Sequence, residues 1–429
     1  MKKVLIITYY WPPAGGPGVQ RIMKFAKYLL NYDWQPHILT VKNGEFPALD
    51  ENLVLEIPTG INIHKTFNPE PIIVYKKLTG KMINEPLPTY ILNSDASDTF
   101  KDKLAKWIRS NLFIPDAKIG WKIPAVRKAM RVIRSHKIDL LFSSSPPQTV
   151  HLIARQLAKK SGLPWIADFR DPWTDAFWQK DMKRLKIPAS LDRRLEQKVL
   201  QKASALVTVS QSLARLLHSK STKPCHVIPN GYDEDDFKNT GKEPSDTFRI
   251  KYVGTLSRSQ QITPFLKALA QLDRTMLSNV SIEFFGSIHS SIRDEIGKYH
   301  LEEKITCSAY IPHADMIREI TNAEMLLLII PDAPNNAGIV TGKLYEYLAT
   351  GNFILGIGPV DGDAAAILKQ TGCGEMYLYQ ADLYPCLKEK YQDWLAKKTQ
   401  QVDRAEVEKY SRRFQTRQLA DIFRQVLAT

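Results

Sequence analysis

The stretch that says most about the fold of this 429-residue chain is Gly338-Ile-Val-Thr-Gly-Lys-Leu-Tyr-Glu-Tyr-Leu-Ala-Thr-Gly351. Thr341 and Gly342 open a helical pattern, and a helix N-terminus has unpaired N–H groups and a positive dipole end that favour a phosphate. Lys343 adds a cation, and Glu346 stands one turn further on, at a distance suited to the two ribose hydroxyls of a nucleotide. The pattern predicts a nucleotide-sugar site. An ordinary amphipathic helix that ends at the last glycine is the alternative.

Outward from this stretch, short apolar runs alternate with amphipathic helical segments, which is typical of parallel sheets covered by helices. The apolar runs are 4–8, 37–41, 140–143, 165–168, 205–210 and 226–229, then 249–253, 280–285, 305–307, 325–330 and 353–356. A chain of this length exceeds what one hydrophobic core usually serves. The sequence therefore predicts an α/β protein with two Rossmann-like, doubly wound domains.

The domain boundary is expected in the acidic, turn-rich segment 231–246. This gives a first domain at 1–235 and a second at 247–405. Within the first domain, about 43–120 reads as an irregular insertion, since it has several prolines and little periodicity. Apolar residues spaced between 406 and 429 predict an amphipathic C-terminal helix.

The amino-acid composition limits the classes of protein to which the chain can belong. An apolar fraction of 44% with 10% aromatic residues indicates packed globular domains rather than disorder. No apolar run approaches the ~20 residues of a membrane span, and the apolar start of the chain ends at Trp11 without a cleavage site. The four cysteines have no zinc-type or CxxC spacing. These features indicate a cytoplasmic protein.

The basic residues are unevenly distributed. Lysine and arginine number 59 against 45 acidic residues, for a net charge of +14, and the segment 101–137 is the most basic. Apolar and aromatic residues are interleaved with its cations: Trp107, Leu112, Phe113, Ile114 and Trp121. This mixture suits an anionic membrane surface, and a solvated basic helix face is the alternative. No nucleic-acid motif accompanies the charge, so nucleic acid is not an expected partner.

A glycine-rich loop, Trp11-Pro-Pro-Ala-Gly-Gly-Pro-Gly-Val-Gln-Arg21, follows the first apolar run and leads into a helix. Ligands bind at this end of a strand in α/β sheets, and Gly15 and Gly16 would let the backbone come close to one. The loop lacks the G-x-G-x-x-G spacing, and no ribose-binding acid ends the second run. A nicotinamide cofactor is therefore disfavoured.

Charged residues end another predicted strand in Pro164-Trp-Ile-Ala-Asp-Phe-Arg-Asp-Pro-Trp173. Asp168, Arg170 and Asp171 are packed among aromatic residues, which costs free energy unless the charges are paired or used. A role in an active cleft and a structural salt bridge between Arg170 and one aspartate both fit. The preceding strand ends in the segment 143–151, whose hydroxyls, Gln148 and His151 are candidates for an acceptor site.

Taken together, these stretches resemble the retaining glycosyltransferases of family 4, which have the GT-B architecture. The motifs that carry the resemblance occur in the family's order from residue 3 to 351: PPAGG, PWIADFRDPW, VSQSL, VIPNGYDEDDF, KYVGTLS and TGKLYEYLATG. The chain looks closest to members that build cell-surface polysaccharides. The resemblance implies two domains facing a cleft and a C-terminal helix that crosses back to the first domain.

The resemblance also implies a nucleotide-diphosphate sugar held mainly by the second domain, an acceptor on the first, and retained anomeric configuration. We expect a lipid-linked or glycan acceptor, and the lipid linkage rests only on the basic and aromatic segment 101–137. Glu346 matches the family's ribose-binding glutamate, and Arg170 falls near its catalytic histidine or aspartate. Our candidate donor-binding residues are Gly15, Gly16, Arg258, Ile311, Asn336, Gly338, Thr341, Gly342, Lys343 and Glu346. The candidate catalytic residues are Asp168, Arg170 and Asp171.

Some positions depart from the family pattern. Gly338 stands where the family has its first glutamate, with Asn335 or Asn336 as substitutes. Thr255 and about Gln260 stand where it has a phosphate-binding arginine and lysine, which leaves Arg258 and Lys343 for that role. These departures keep open a nucleotide-sugar-binding protein with impaired catalysis. A sugar-nucleotide epimerase or a nicotinamide-dependent oxidoreductase of similar layout is also open.

No cofactor and no metal are expected for the reaction. A glycosyl transfer produces a diphosphate leaving group, which cations and N–H dipoles of the protein can stabilise. We therefore predict a cytoplasmic enzyme that acts without a divalent cation, peripheral on the inner face of the cell membrane through 101–137.

Overall fold

A computed structural model describes residues 1–46, 48–69, 107–108, 110–176, 184–334 and 336–428. The chain divides into two compact units, one of Met1–Pro229 with Gln415–Thr429 and one of Asn230–Phe414. Each unit has one parallel sheet with helices on both faces. The prediction of two Rossmann-like, doubly wound domains is confirmed.

The first unit is organised around a sheet whose described strands are β1 (Lys2–Ile7), β2 (Trp34–Val41), β3 (Asn62–Thr66), β4 (Leu140–Ser145), β5 (Trp165–Phe169), β6 (Ala205–Thr208) and β7 (Cys225–Val227). Their order is β3-β2-β1-β4-β5-β6-β7, and neighbouring strands are parallel. The order reverses between β1 and β4. Ligands of doubly wound sheets bind at such a reversal, outside the carboxyl ends of the strands.

Helices of the first unit cover both faces of its sheet. They are α1 (Pro17–Leu29), α2 (Asn52–Leu55), α3 (Lys122–His136), α4 (Thr149–Ser161), α5 (Lys186–Lys202) and α6 (Gln211–His218). Alternate residues of β1 contribute to the two cores: Leu5 and Ile7 pack with α3 and α4, whereas Val4 and Ile6 pack with α1. Burial on both faces explains why the strand is a continuous apolar run.

The second unit repeats this arrangement. Its described strands are β8 (Phe248–Val253), β9 (Val280–Phe285), β10 (Ile305–Ser308), β11 (Met325–Ile329), β12 (Phe353–Ile357) and β13 (Gly374–Tyr377), in the order β10-β9-β8-β11-β12-β13. Its described helices are α7 (Thr263–Ala270), α8 (Arg274–Ser278), α9 (Ser290–Lys298), α10 (His313–Thr321), α11 (Gly342–Thr350), α12 (Asp363–Thr371), α13 (Tyr384–Leu395) and α14 (Arg404–Glu408). The strand order reverses between β8 and β11.

The last helix, α15 (Arg412–Ala428), returns to the first unit. Phe423 is buried and packs edge-on against Trp34, with ring centroids 5.0 Å apart, and also contacts Phe142. Leu419 and Ala420 belong to the same core as α1. This confirms the crossing back of the C-terminal helix. None of the described helices is long and apolar enough to span a membrane.

Two strands are not predicted by the apolar runs, and one of them corrects the interpretation of 43–120 as irregular. That segment contains α2 and the edge strand β3. Edge strands are buried less than central ones, and Asn-Ile-His-Lys-Thr in β3 is accordingly too polar to stand out. The other missed strand, β13, is also at an edge. Residues 47, 70–106 and 109 of the segment lie outside the described residues.

Candidate functional site

The glycine-rich loop of the first unit opens α1. Gly16 is the residue before the helix and has a φ of +104°, a conformation that residues with a side chain rarely adopt. Two positions on, a Cβ at Gly18 would lie 1.5 Å from Nη1 of Arg170. The loop therefore needs glycine twice, once for its turn and once to admit a guanidinium. Gly15 is held by a hydrogen bond of 2.9 Å from its N–H to the carbonyl of Ala48.

Arg170 follows β5 and is fixed by backbone carbonyls of the loop after β4. Its Nε donates to the carbonyl of Ser145 at 2.7 Å and its Nη2 to that of Pro146 at 2.9 Å. Burial lowers the pKa of Arg170 and raises that of Asp171, while the charge of each opposes the effect of burial on the other. A fixed cation and a partly buried carboxyl thus stand beside the start of α1.

Asp168 belongs to a buried ion pair with Arg21 of α1. Nη2 and Nε of Arg21 lie 2.9 and 3.2 Å from the two carboxylate oxygens, and neither side chain has exposed surface. Ser144 donates a third hydrogen bond to Asp168 at 2.6 Å, and Arg21 also donates to the carbonyl of Pro229 at 2.8 Å. The described contacts give Asp168 a structural role. The salt bridge considered for Arg170 is thus made by Arg21.

The segment after β4 holds both core and candidate acceptor residues. His151 is fully buried against Phe169, and its Nδ1 lies 2.8 Å from the hydroxyl of Ser143. Burial lowers the pKa of His151 to about 3, so its ring is neutral and part of the core. The buried Oγ of Ser145 and Oε1 of Gln148, by contrast, have no hydrogen-bond partner among the described residues.

In the second unit, Lys343 lies on the first turn of α11 and folds back over the end of β8. Its ammonium is 4.1 Å from the ring centroid of Tyr252 and donates to the Tyr252 hydroxyl. Gly254 makes room for it: φ there is +105°, and a Cβ would lie 2.7 Å from Cε of Lys343. Burial lowers the pKa of Lys343 to about 7, although the nearby Glu346 opposes the shift.

The hydroxyl of Tyr252 is the centre of a small polar network. It donates to the carbonyl of Thr255 at 2.7 Å and accepts from Nε2 of Gln260 at 3.1 Å. Gln260 is buried and also accepts from the N–H of Ser257 at 2.8 Å. Gln260 therefore holds the loop after β8 in place around Lys343. The resemblance predicts a lysine at about this position, but the side chain here is neutral.

Glu346 lies one turn further along α11 and contacts the start of α10. Its Oε1 is 3.0 Å from Nε2 of His313, and the two side chains are 26% and 33% exposed. The carboxylate is thus oriented by a neighbour yet open to a ligand. Ile311 comes two residues before His313 in sequence and is partly buried.

The loop before α11 supplies the remaining donor candidates. Asn336 and Gly338 form a short 3-10 turn, whose Asn336 amide nitrogen donates to the carbonyl of Pro331 at 3.0 Å and to the Tyr379 hydroxyl at 2.9 Å. Thr341 caps α11, and its buried Oγ1 has no hydrogen-bond partner among the described residues. Gly342 is the first residue of the helix. Hydroxyl and N–H groups are thus available at this helix N-terminus.

Arg258 is the donor candidate that stands apart, because it is exposed on the turn after β8. Asn335 lies outside the described residues. The sequence also contains an acidic pair separated by one residue: Asp233 precedes a short 3-10 turn, and Asp235 lies within it. Asp233 accepts from the N–H of Asp235, and Asp235 forms ion pairs with Lys238 and Arg413. These two carboxylates therefore serve the local fold.

Comparisons with known proteins show what the chain is similar to. Residues 89–236 match the model of Glycosyltransferase Family 4. Over this segment, about a third of its length, the chain is similar to the glycosyltransferases of family 4. A search of curated proteins found no match.

Solved structures share the fold of this chain. Sucrose-phosphate synthase from Thermosynechococcus elongatus is 13% identical over 100% of both chains, with a TM-score of 0.63. A glycosyltransferase from Rickettsia africae is 15% identical over 99% of this chain and 98% of that one, with a TM-score of 0.63. HepE from Anabaena, solved in complex with UDP and glucose, is 14% identical over 99% and 100%, with a TM-score of 0.60. The GT-B fold is shared across these proteins.

The candidate site also includes residues that the sequence analysis missed. Tyr252 and Gly254 hold Lys343, and His313 orients Glu346. His313 lies two residues after Ile311 in a segment that the sequence analysis had already considered. A histidine that contacts the carboxylate of Glu346 could therefore have been sought there. Tyr252 gave no such signal, because its contact with α11 spans 91 residues of chain.

Proposed function

We propose that this protein is a retaining glycosyltransferase that moves a sugar from a nucleotide-diphosphate sugar to a lipid-linked or polysaccharide acceptor. The observation that carries the proposal is the placement of Lys343 and Glu346 on successive turns at the start of α11, with Lys343 packed against Gly254, the residue after β8. A diphosphate on the N–H groups of this helix would meet Lys343, and the ribose next to it would meet Glu346. The acceptor is assigned to the first unit, near Arg170 and Gln148.

The chemistry of glycosyl transfer explains why these groups suffice. Cleavage of the sugar–phosphate bond leaves negative charge on the diphosphate, and fixed dipoles and cations stabilise that charge in the transition state. Lys343 and the N–H groups of α11 provide both without a metal ion. Gly338 offers no carboxylate to the sugar, so contacts to the donor sugar come from other groups of the loop before α11.

Substitution of Glu346 tests the donor site. We expect Glu346→Gln to weaken binding of the preferred sugar nucleotide by about 10- to 100-fold, because hydrogen bonds to a charged acceptor contribute ~1.5–3 kcal/mol. Affinities are measured calorimetrically with a panel of UDP-, GDP-, ADP- and dTDP-sugars. Glu303→Gln, an exposed glutamate remote from α11 in sequence, is the control. Unchanged affinity in Glu346→Gln would remove the ribose from this position.

Turnover tests the reaction itself. The protein is incubated with the bound sugar nucleotide and a bacterial lipid extract, and the product is analysed by NMR for anomeric configuration. We expect a product with the donor's configuration, formed equally with and without a chelator. An inverted product would refute retention, and complete loss of transfer in chelator with recovery in manganese would refute metal independence. A bound nicotinamide in native mass spectrometry would favour an oxidoreductase instead.

The membrane contact is proposed on the exposed surface of α3. Arg127, Arg131 and Arg134 line one groove with Lys160, and Ile123 on the same helix is 63% exposed. Nearby in sequence, Leu112 is also exposed. Lys101, Lys103, Lys106 and Arg109 of the predicted basic segment lie outside the described residues. A row of arginines beside exposed apolar side chains suits an anionic bilayer surface.

Vesicle sedimentation tests this surface. We expect binding to vesicles containing phosphatidylglycerol, little binding to pure phosphatidylcholine, and a decrease with salt, since screening weakens exposed charges. The triple variant Arg127→Ser, Arg131→Ser, Arg134→Ser should lose most of the binding. The matched control removes three exposed cations elsewhere: Lys298→Ser, Lys369→Ser and Lys388→Ser. Equal loss in both triple variants would indicate net charge alone and would contradict a defined contact surface.

A further inference from the structure

Three histidines that are far apart in sequence meet on the α3 side of the first sheet. His37 is in β2, His64 is in β3, and His136 is the last residue of α3. One nitrogen from each ring can be chosen so that all three lie within 4.8 Å of one another. His37 is buried, while His64 and His136 are partly exposed. The cluster thus has a closed side toward the core and an open side toward solvent.

The strand register explains why His37 and His64 meet. His64 pairs with Leu39, two residues beyond His37, so the two side chains emerge diagonally on the same face of neighbouring strands. Their rings are parallel, and Nδ1 of His37 lies 3.1 Å from Nε2 of His64. Two nitrogens bound to one tetrahedral zinc ion at 2.0–2.1 Å would be about 3.3 Å apart. This pair is therefore already spaced for a shared metal ion.

His136 completes the cluster from above the sheet. Its ring centroid is 4.6 Å from that of His37 and 5.4 Å from that of His64. It ends α3, where the helix dipole places partial negative charge that favours a cation. A partly exposed side chain at a helix end can turn about χ1 with little cost to the fold, which allows its nitrogen to approach the other two.

The protonation state of the cluster suits metal binding. Burial, reinforced by the neighbouring His136, lowers the pKa values of His37 and His64 to about 4. Both rings are therefore neutral at pH 7. In the hydrogen bond between Nδ1 of His37 and Nε2 of His64, one nitrogen carries the proton, which would move to the other nitrogen of its ring when a metal ion binds. Lys3 and Lys128 contribute to these shifts, and their charges also oppose a bound cation. Metal coordination by imidazole must outweigh that repulsion.

We propose that His37, His64 and His136 bind one divalent transition-metal ion of the zinc class. Imidazole is a preferred ligand of Zn²⁺, Ni²⁺ and Cu²⁺, and three protein ligands with a water in the fourth position form a common zinc site. Neutral imidazoles would present a lone pair to the ion and keep their proton on the other ring nitrogen. The ion would link β2, β3 and the end of α3.

This site is separate from the proposed donor chemistry. It belongs to the first unit, whereas Lys343 and Glu346 belong to the second. Within the first unit, α3 begins next to Trp121, which packs on Tyr9 just after β1. A 15-residue helix spans about 22 Å, so His136 is roughly that far from the loop that follows β1. The sequence analysis missed the cluster because its members share no local motif.

Zinc binding is tested with the untagged, full-length protein after treatment with a chelator. Zn²⁺ is titrated against a fluorescent competitor, and Co²⁺ is added separately to record visible absorption. We expect one tight Zn²⁺ per chain and the absorption of tetrahedral Co²⁺. His64→Asn and His136→Asn, at the two partly exposed ligands, should each weaken Zn²⁺ binding by at least about 100-fold and abolish the Co²⁺ spectrum. His218→Asn, an exposed histidine of α6, is the matched control.

Thermal unfolding separates loss of metal from loss of fold. A ligand that binds the native state raises the melting temperature, so Zn²⁺ should stabilise the wild type and the His218→Asn control. The His64→Asn and His136→Asn variants should unfold cooperatively without a response to Zn²⁺. Absence of tight Zn²⁺ binding by the folded wild type, or equal binding by wild type and the cluster variants, would overturn the proposal.

Discussion

Lys343 is the residue whose chemistry makes the sharpest prediction. Its pKa is lowered to about 7 by burial, so much of it is neutral in the free protein above that pH. A bound diphosphate favours the charged form and must raise the pKa. We therefore expect the affinity for a sugar nucleotide to fall as pH rises from 7 to 9, by up to about tenfold per pH unit. Sugar nucleotides suit this measurement because their diphosphate diester keeps its charge over this range.

The variant Lys343→Met isolates this effect. It should bind the sugar nucleotide more weakly than the wild type at pH 6, and its affinity should depend less on pH. Lys343→Met also affects stability. In the ligand-free protein at pH 7, it should raise the free energy of unfolding. The unfolded chain binds the Lys343 proton more tightly than the folded one, so wild-type stability rises between pH 7 and 10.5. If the affinity of the wild type depended on pH as little as that of Lys343→Met, the placement of Lys343 at the diphosphate would be contradicted.

Single residues were predictable where chemistry and spacing lie within one segment. Lys343 and Glu346 are three residues apart, and the sequence alone places them on one face of a helix. Partners from distant segments were not predictable. Asp168 pairs with Arg21, 147 residues away, although Arg170 is its near neighbour. The backbone carbonyls after β4 hold Arg170 instead, and no side-chain pattern reveals them.

The Arg21–Asp168 ion pair connects different secondary-structure elements. It joins α1 to β5, and through Ser144 to β4, with both charges fully buried. We expect Arg21→Met to destabilise the first unit by about 3–5 kcal/mol, since it leaves the Asp168 carboxylate without its countercharge. The double variant Arg21→Met, Asp168→Leu should be less destabilised than Arg21→Met. Urea unfolding measures both, and a cost below about 1 kcal/mol for Arg21→Met would contradict the role assigned to the pair.

Burial decides which elements the sequence reveals. Strands covered on both faces, such as β1 and β11, are continuous apolar runs and were predicted. The edge strands β3 and β13 have exposed or partly exposed residues and were not. The other two edge strands, β7 and β10, are also only partly buried but were predicted from their short apolar runs. The same openness at β3 allows His64 to belong to a polar cluster. The strand β3, which the apolar pattern missed, thus contributes His64 to the histidine cluster, which the sequence analysis also missed.

The chain as a whole forms two units from a discontinuous path, since it leaves the first unit at Pro229 and returns at Gln415. Seven of the eight tryptophans lie in the first unit, and Trp394 lies in the second. Tryptophan fluorescence therefore reports mainly on the unit that α15 completes. Nucleotide binding, by our proposal, reports on the other. The two signals allow each unit to be followed in the intact protein.

Removal of the Phe423 ring uses these two signals. Phe423 is fully buried against Trp34 and Phe142, so we expect Phe423→Ala to cost about 3–5 kcal/mol in the first unit. The urea midpoint of tryptophan fluorescence should fall clearly, while the affinity for the sugar nucleotide in the absence of urea stays within twofold of the wild type. Arg424→Ala, whose side chain is about half exposed on the same helix, is the control and should leave the midpoint nearly unchanged. An unchanged midpoint in Phe423→Ala would mean that the returning helix contributes little to the first unit. Weaker nucleotide binding would mean that the donor site depends on it.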